Sequence, residues 1–145
     1  MPQKDAITLL DDDHKKVEQL FKDFQSETDR GRKEHIVRTI CTELTVHTQI
    51  EEEIFYPAFR QKVGDKDVAD DAVHEHQEAK QLVSKLESQG VKDDMVLELQ
   101  KLIEHHVQDE REKMFPQSRS AGMDLDALGT RLEQRKQELM EQQTV

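Results

Sequence analysis

Two stretches of the chain share one form: His47-Thr48-Gln49-Ile50-Glu51-Glu52-Glu53-Ile54-Phe55-Tyr56-Pro57 and His106-Val107-Gln108-Asp109-Glu110-Arg111-Glu112-Lys113-Met114-Phe115-Pro116. Each carries a His, a Glu four residues on, an apolar residue followed by an aromatic one, and a Pro ten residues after the His. On an α-helix, residues four apart stand one above the other on the same face, so each stretch offers an imidazole and a carboxylate to one point in space. That is a metal-ligand arrangement, and it occurs twice.

Working outward from the first copy, Ile36, Ile40 and Leu44 lead to His47 at spacings of three or four, and Ile54 and Phe55 continue beyond Glu51. This predicts a helix from about Arg32 to Val63, kinked or redirected near Tyr56 by Pro57. The second copy lies on a helix from about Lys92 to Ser118, with Met95, Leu99, Leu102, Ile103 and Met114 on the face of His106 and Glu110. Each is preceded by a further helical pattern. From Asp5 to about Arg30 the stripe reads Ile7, Leu10, His14, Val17, Phe21 and Phe24, and from about Lys66 to Gln89 it reads Ala69, Ala72, His76, Ala79, Val83 and Leu86. Asp13-His14 and Glu75-His76 are followed by apolar residues at the same offsets, so the chain reads as two helix pairs, each giving one lone His and one His with Glu.

Breaks are expected at Gly31, Gly64-Asp65 and Gly90. Short connections force neighbouring helices to run antiparallel, which predicts an all-α, up-down-up-down four-helix bundle over residues 1–120. After Ala121-Gly122, residues 121–145 form a C-terminal tail whose helix, about Asp124 to Gln142, carries Leu125, Leu128, Leu132 and Leu139 on one side. This helix is expected to dock outside the bundle or to make a contact between copies of the chain.

Composition agrees with helices. The 145 residues are enough for about one core, and 34% apolar with 37% charged residues suits narrow apolar stripes with wide solvated faces. Gly (5) and Pro (3) are scarce. The formal charge of −11 argues against nucleic acid and against an anionic membrane surface, since phosphate binding needs a basic face. One cysteine, Cys41, forms no internal disulfide, and no signal-like or spanning stretch is seen, so a soluble protein of the reducing cytoplasm is expected.

Four helices around one core bring His14, His47, His76 and His106 together with Glu51 and Glu110. Two unpaired carboxylates in an apolar core would each cost about several kcal/mol. Lys80 is the one Lys or Arg on those stripes, so a bound metal is the better compensation. Six such donors exceed the four of a structural zinc and are too rich in nitrogen for magnesium or calcium. Two transition ions bridged by the carboxylates use the whole set, and iron suits a mixed imidazole and carboxylate shell with open positions.

Two other pairs have the same spacing, His74 with Glu78 and His105 with Asp109, but both lie among polar neighbours and read as surface residues, as does His35. Phe21, Phe24, Phe55 and Phe115 are expected to pack around the site and keep water from it. Tyr56 can donate a hydrogen bond near the metals or pack, and packing is expected; Glu52 and Glu75, each beside a proposed ligand, can accept from an imidazole N–H but are expected to be solvated; Cys41 is expected to have no role.

With these residues the chain resembles the hemerythrin-like HHE cation-binding domain. The resemblance rests on Asp13-His14, the run from His47 to Pro57, Glu75-His76 and the run from His106 to Pro116, and Leu128-Gly129 and Arg135-Lys136 resemble tails of bacterial members. It implies two Fe ions in a non-haem, oxo- or hydroxo-bridged centre that binds or reacts with dioxygen. Oxygen-carrying hemerythrins have a further His four residues from the one on the third helix. Here Ala72 and Lys80 stand four before and four after His76, so that donor is missing unless His74 reaches in. The departure weakens reversible oxygen carriage and gives weight to alternatives: catalase-like decomposition of hydrogen peroxide or another di-iron oxidation, and iron or nitric oxide sensing.

Overall fold

The computed structural model describes residues 4–143. The α-helices are α1 (Ala6–Ser26), α2 (Arg30–Ile50), α3 (Tyr56–Lys62), α4 (Lys66–Gln89), α5 (Asp93–Asp109), α6 (Phe115–Ser120) and α7 (Leu125–Gln143), with no strand among the described residues. Aspartates start three of the long ones. Asp5, Asp29 and Asp65 each accept a bond from the backbone N–H three residues on, at Thr8 (2.8 Å), Arg32 (2.9 Å) and Val68 (3.3 Å). Each satisfies an amide that the first helical turn leaves without a partner. The cap at Asp29 also corrects one expectation: the chain breaks before Arg30, and Gly31 lies inside the first turn of α2.

Pro57 and Pro116 each leave their mark as a π-turn. Glu51–Phe55 joins α2 to α3, and Glu110–Met114 joins α5 to α6. A Pro has no N–H, and its ring collides with the carbonyl four residues back. Just before Pro57 and Pro116 the hydrogen-bond ladder widens, so that the amide of Tyr56 reaches Glu51 O and that of Phe115 reaches Glu110 O, five residues back. The change of course expected near Tyr56 takes this form. Because the widening begins at each Glu, the spacing from His to Glu stays α-helical, with Glu51 N–H still bonded to His47 O and Glu110 N–H to His106 O.

The helices close a ring in which α1 packs on α2, α2 on α4, α4 on α5 and α5 on α1. The apolar core is in two parts. One contains Leu10, Ile50, Phe55, Ala72, Met114 and Phe115, and the other contains Val17, Phe21, Phe24, Leu44, Ala79 and Ile103. His14 separates Leu10 from Val17, His47 separates Leu44 from Ile50, and His76 separates Ala72 from Ala79. A polar layer thus crosses the middle of the bundle where the four stripes each place a His.

The C-terminal helix α7 docks on the outside, against α1, α2 and the first π-turn. Leu128, Leu132 and Leu139 are buried in the core part that contains Leu10. At roughly 1.5–3 kcal/mol for each buried leucine, this stripe is an integral part of the packing.

Candidate metal centre

All six candidate ligands, His14, His47, Glu51, His76, His106 and Glu110, are buried, and the fold brings them into one layer. The ring centroids of His14 and His47 are 4.9 Å apart, and those of His76 and His106 are 4.7 Å apart. The carboxylates lie between these pairs. Glu51 Oε1 is 3.1 Å from His47 Nε2 and 3.1 Å from His76 Nε2. Glu110 Oε1 is 2.9 Å from His14 Nε2 and 3.2 Å from His106 Nε2. Each carboxylate therefore touches one imidazole of each pair. Two overlapping donor sets result, His14, His47, Glu51 and Glu110 on one side and Glu51, His76 and His106 on the other, with donor atoms in each set within 4.8 Å of one another.

Two atoms in this layer test whether a cation fits. His47 Nε2 and Glu51 Oε2 are buried and make no hydrogen bond. His47 Nε2 is near Glu51 Oε1 without being aligned to donate to it. Buried polar atoms are nearly always satisfied, and an unsatisfied one costs about 1–3 kcal/mol. A cation between the rings would take both lone pairs. The donor chemistry agrees, since four imidazoles, two carboxylates and no thiolate suit first-row transition ions.

Without a cation the charges are met by protons. Burial by itself pushes an imidazole pKa down, but the carboxylates of Glu51 and Asp13 carry His47 up to about 10. His14 is raised against burial by Asp11 and Glu110, and His106 is raised well above the ordinary value by Glu110 and Glu51. Glu51 is held well below the carboxylate range, despite complete burial, chiefly by His47. A cation entering this layer displaces protons from the rings.

Behind the layer lies a second one. The Nδ1 of every candidate imidazole faces a carboxylate: Asp11 for His14 (3.1 Å), Asp13 for His47 (3.1 Å), Glu52 for His76 (3.0 Å) and Glu75 for His106 (2.8 Å). An Nδ1–H donated this way leaves Nε2 with its lone pair facing the centre. Each carboxylate is itself held by a basic side chain: Arg111 at 2.6 Å from Asp11, Lys136 at 2.6 Å from Asp13, Lys80 at 2.8 Å from Glu52 and His105 at 3.3 Å from Glu75. Of the two roles the sequence leaves open for Glu52 and Glu75, accepting from an imidazole is the one found, against the expected solvation, and Asp11 carries no sequence signal. A signal was present for Asp13 and Glu75, which occupy the same place in the repeat, each just before a candidate ligand and each reaching across to the His of the following helix.

Tyr56 does more than pack. Its hydroxyl is 3.2 Å from Glu51 Oε1, 3.1 Å from Glu110 Oε2, 3.0 Å from His76 Nε2 and 3.4 Å from His106 Nε2. It stands among the donors of the second set. Burial, reinforced by Glu110 and Glu51, raises its pKa well above 10, so the phenol holds its proton and donates it toward a carboxylate. His74 does not reach in: it is exposed and pairs with Glu78 at 3.0 Å, while Ala72 is core and Lys80 turns to Glu52. His35 and His105 are exposed, as expected, and Cys41 is buried with its thiol pushed up to about 12.

The four imidazoles also border a cavity of about 10 Å³, walled otherwise mainly by Val17, Leu44, Ala79, Ile103 and Val107. That is on the order of the space one water-sized molecule needs, in an apolar setting.

Residues 5–118 match the Hemerythrin HHE cation binding domain. The chain belongs to that family. Its fold is similar to the crystal structure of a hemerythrin HHE cation binding domain-containing protein from Mycobacterium kansasii, with a TM-score of 0.80, 19% identity and coverage of 94% of this chain and 87% of that one. No curated protein matches the sequence. Family and buried His/Glu layer together support binding of a metal cation. No described helix is long and apolar enough to cross a membrane.

Proposed function

We propose that the protein is a non-haem di-iron protein of the cytoplasm that binds or reacts with dioxygen. The observation that carries this reading is the pair of donor sets sharing Glu51, with His47 Nε2 and Glu51 Oε2 buried and making no hydrogen bond. In this reading His14 and His47 would hold one ion and His76 and His106 the other, with Glu51 and Glu110 as carboxylates that would serve both and offset their charge. Bound as a ferrous pair, the ions supply the electrons for dioxygen chemistry. The chain's own residues do the rest. The four Nδ1–H bonds to carboxylates fix the rings with Nε2 inward. The apolar walls of Val17, Leu44, Ala79, Ile103 and Val107 keep bulk water from the imidazoles and favour a small uncharged molecule.

Tyr56 supports a second reading, decomposition of hydrogen peroxide. Its hydroxyl stands near four candidate ligands on the side where a further imidazole is missing, and its retained O–H can donate a hydrogen bond to an oxygen species at the site. The two readings separate on one experiment. Anaerobically reduced, iron-loaded protein is mixed with dioxygen and, separately, the oxidised protein with peroxide. Stoichiometric return of near-ultraviolet absorption with dioxygen supports binding or single oxidation. Release of dioxygen from peroxide over many turnovers supports the second. No response to either excludes both.

A further inference from the structure

The family match ends at residue 118, before α7 begins. Yet α7 reaches the candidate centre. Lys136 Nζ lies 2.6 Å from Asp13 Oδ1, and the other oxygen of the same carboxylate is 3.1 Å from His47 Nδ1. The next residue back, Arg135, places Nε 2.9 Å from Oε1 of Glu53, in the π-turn that begins with Glu51. Two consecutive side chains of α7 thus hold the two segments flanking His47, α1 on one side and the first π-turn on the other.

The position of Lys136 along α1 is set two turns earlier. A Cβ added to Gly129 would come within 2.3 Å of the backbone oxygen of Lys4 and 3.0 Å of Ala6 N, so α7 meets the start of α1 backbone to backbone, where only a glycine fits. Gly129, Leu132, Lys136 and Leu139 follow at helical spacing on one face, which puts Lys136 roughly 10 Å beyond that contact. The contact at Gly129 therefore fixes both the rotation of α7 and the reach of Lys136 to Asp13.

We propose that α7 is a working part of the metal centre, with Lys136 as a positioning residue that holds Asp13 in place and through it fixes the ring of His47. Asp13 is 6% exposed, and a carboxylate that deep needs its bonds fixed to keep one orientation. Arg111, Lys80 and His105 do the corresponding service for the other three rings from within residues 5–118; for His47 it comes from outside them. The proposal rests on the di-iron reading for its consequence at the metal, and on the geometry alone for its effect on the ring.

The test uses the full chain with Lys136→Met, Lys136→Arg and Gly129→Ala, and with Arg131→Met as an exposed control on α7. Iron-loaded protein is challenged with a strong iron chelator and the loss of the near-ultraviolet bands is timed. Lys136→Met and Gly129→Ala are expected to lose iron roughly tenfold faster than wild type, the low end of the affinity cost of disturbing the groups behind a ligating His. Lys136→Arg is expected to stay near wild type, and Arg131→Met to match it. In parallel the metal-free proteins are compared by nitrogen-edited NMR of the imidazoles, where the protected Nδ1–H signal of His47 should weaken in Lys136→Met while that of His76 stays. Equal chelation rates with an unchanged His47 signal overturn the proposal. If wild type holds no metal, the di-iron reading falls and the His47 signal alone decides the role of α7: weakened in Lys136→Met, the role stands; unchanged, it is overturned.

Discussion

The two halves of the bundle, α1 with α2 and α4 with α5, carry the same candidate ligands at matching positions and differ just behind them. Five residues after the His, the first copy has Glu52 and the second has Arg111. Glu52 reaches to α4 and accepts from His76 directly, whereas Arg111 reaches to α1, where it holds Asp11 and Glu18. Asp11 then serves His14; its counterpart three residues before His76 is Val73, which packs against the core and has no group to accept a ring N–H. Next to each Pro, the first copy has Tyr56 and the second Phe115. The Phe115 ring stacks beside His14 at 6.0 Å, while the Tyr56 ring lies 5.2 Å from His76 and sends its hydroxyl into the ligand layer. Duplication thus repeats the ligand phase, which a helix fixes by spacing alone. The supporting acids and the hydroxyl are free to differ, and they make the two sides chemically unequal.

Removing what the halves share should have the largest effect. Glu51 belongs to both donor sets and Glu110 to one. Glu51→Ala is expected to abolish iron loading while the metal-free bundle still folds, and Glu110→Ala to retain part of the iron; metal analysis with circular dichroism reads both. Full loading of Glu51→Ala would remove it as the bridge.

Making the halves alike should have a smaller effect. Tyr56→Phe turns the first copy into the second at that position and removes a hydroxyl bonded to ionised groups. The expected loss is about 1.5–3 kcal/mol for the metal-free protein in denaturant unfolding, with altered visible absorption in the iron-loaded one. An unchanged spectrum and stability would mean that the hydroxyl does not engage the layer.

The pH response of the metal-free protein probes the shared layer in another way. His47 rises from an ordinary 6.5 to about 10, so its contribution to stability is full below pH 6.5 and is lost as pH climbs through 10. Glu51 is held well below 4.5, so its contribution is full above pH 4.5 and is lost as pH falls. Stability from this pair should therefore be greatest between about pH 4.5 and 6.5. Unfolding midpoints measured across pH, with and without metal, check this, since coordination keeps the rings neutral and should flatten the alkaline decline. The smallest effect is expected from His74→Ala, within about 0.5 kcal/mol and with unchanged metal content, because His74 is exposed and outside both sets.

Helical phase made the bundle and the convergence of the six candidate ligands legible in the sequence, because a stripe of apolar residues interrupted by one His says which face is inward. Pro57 marked where its helix must adjust, though spacing could not say that the adjustment is a widened turn starting at the Glu, and the matching turn before Pro116 interrupts a helix expected to run through to Ser118. Asp11 and Lys136 were not legible, and for Tyr56 the sequence could not decide between packing and a hydrogen bond near the site. Their partners lie on other helices, and which side chain crosses to which ring depends on the rotation of packed helices, which the pattern within one helix leaves undetermined. The leucines of α7 likewise announced a buried face without saying which surface covers it; Gly129 was the clue to a backbone contact with α1.

The central claim is that one layer of this bundle holds two iron ions across Glu51 and Glu110. Metal analysis of protein purified from iron-supplemented cells tests it most directly, with the near-ultraviolet spectrum taken before and after reduction. About two irons per chain and absorption bands that vanish on reduction are expected. One zinc per chain, or no metal and no such bands, would contradict it.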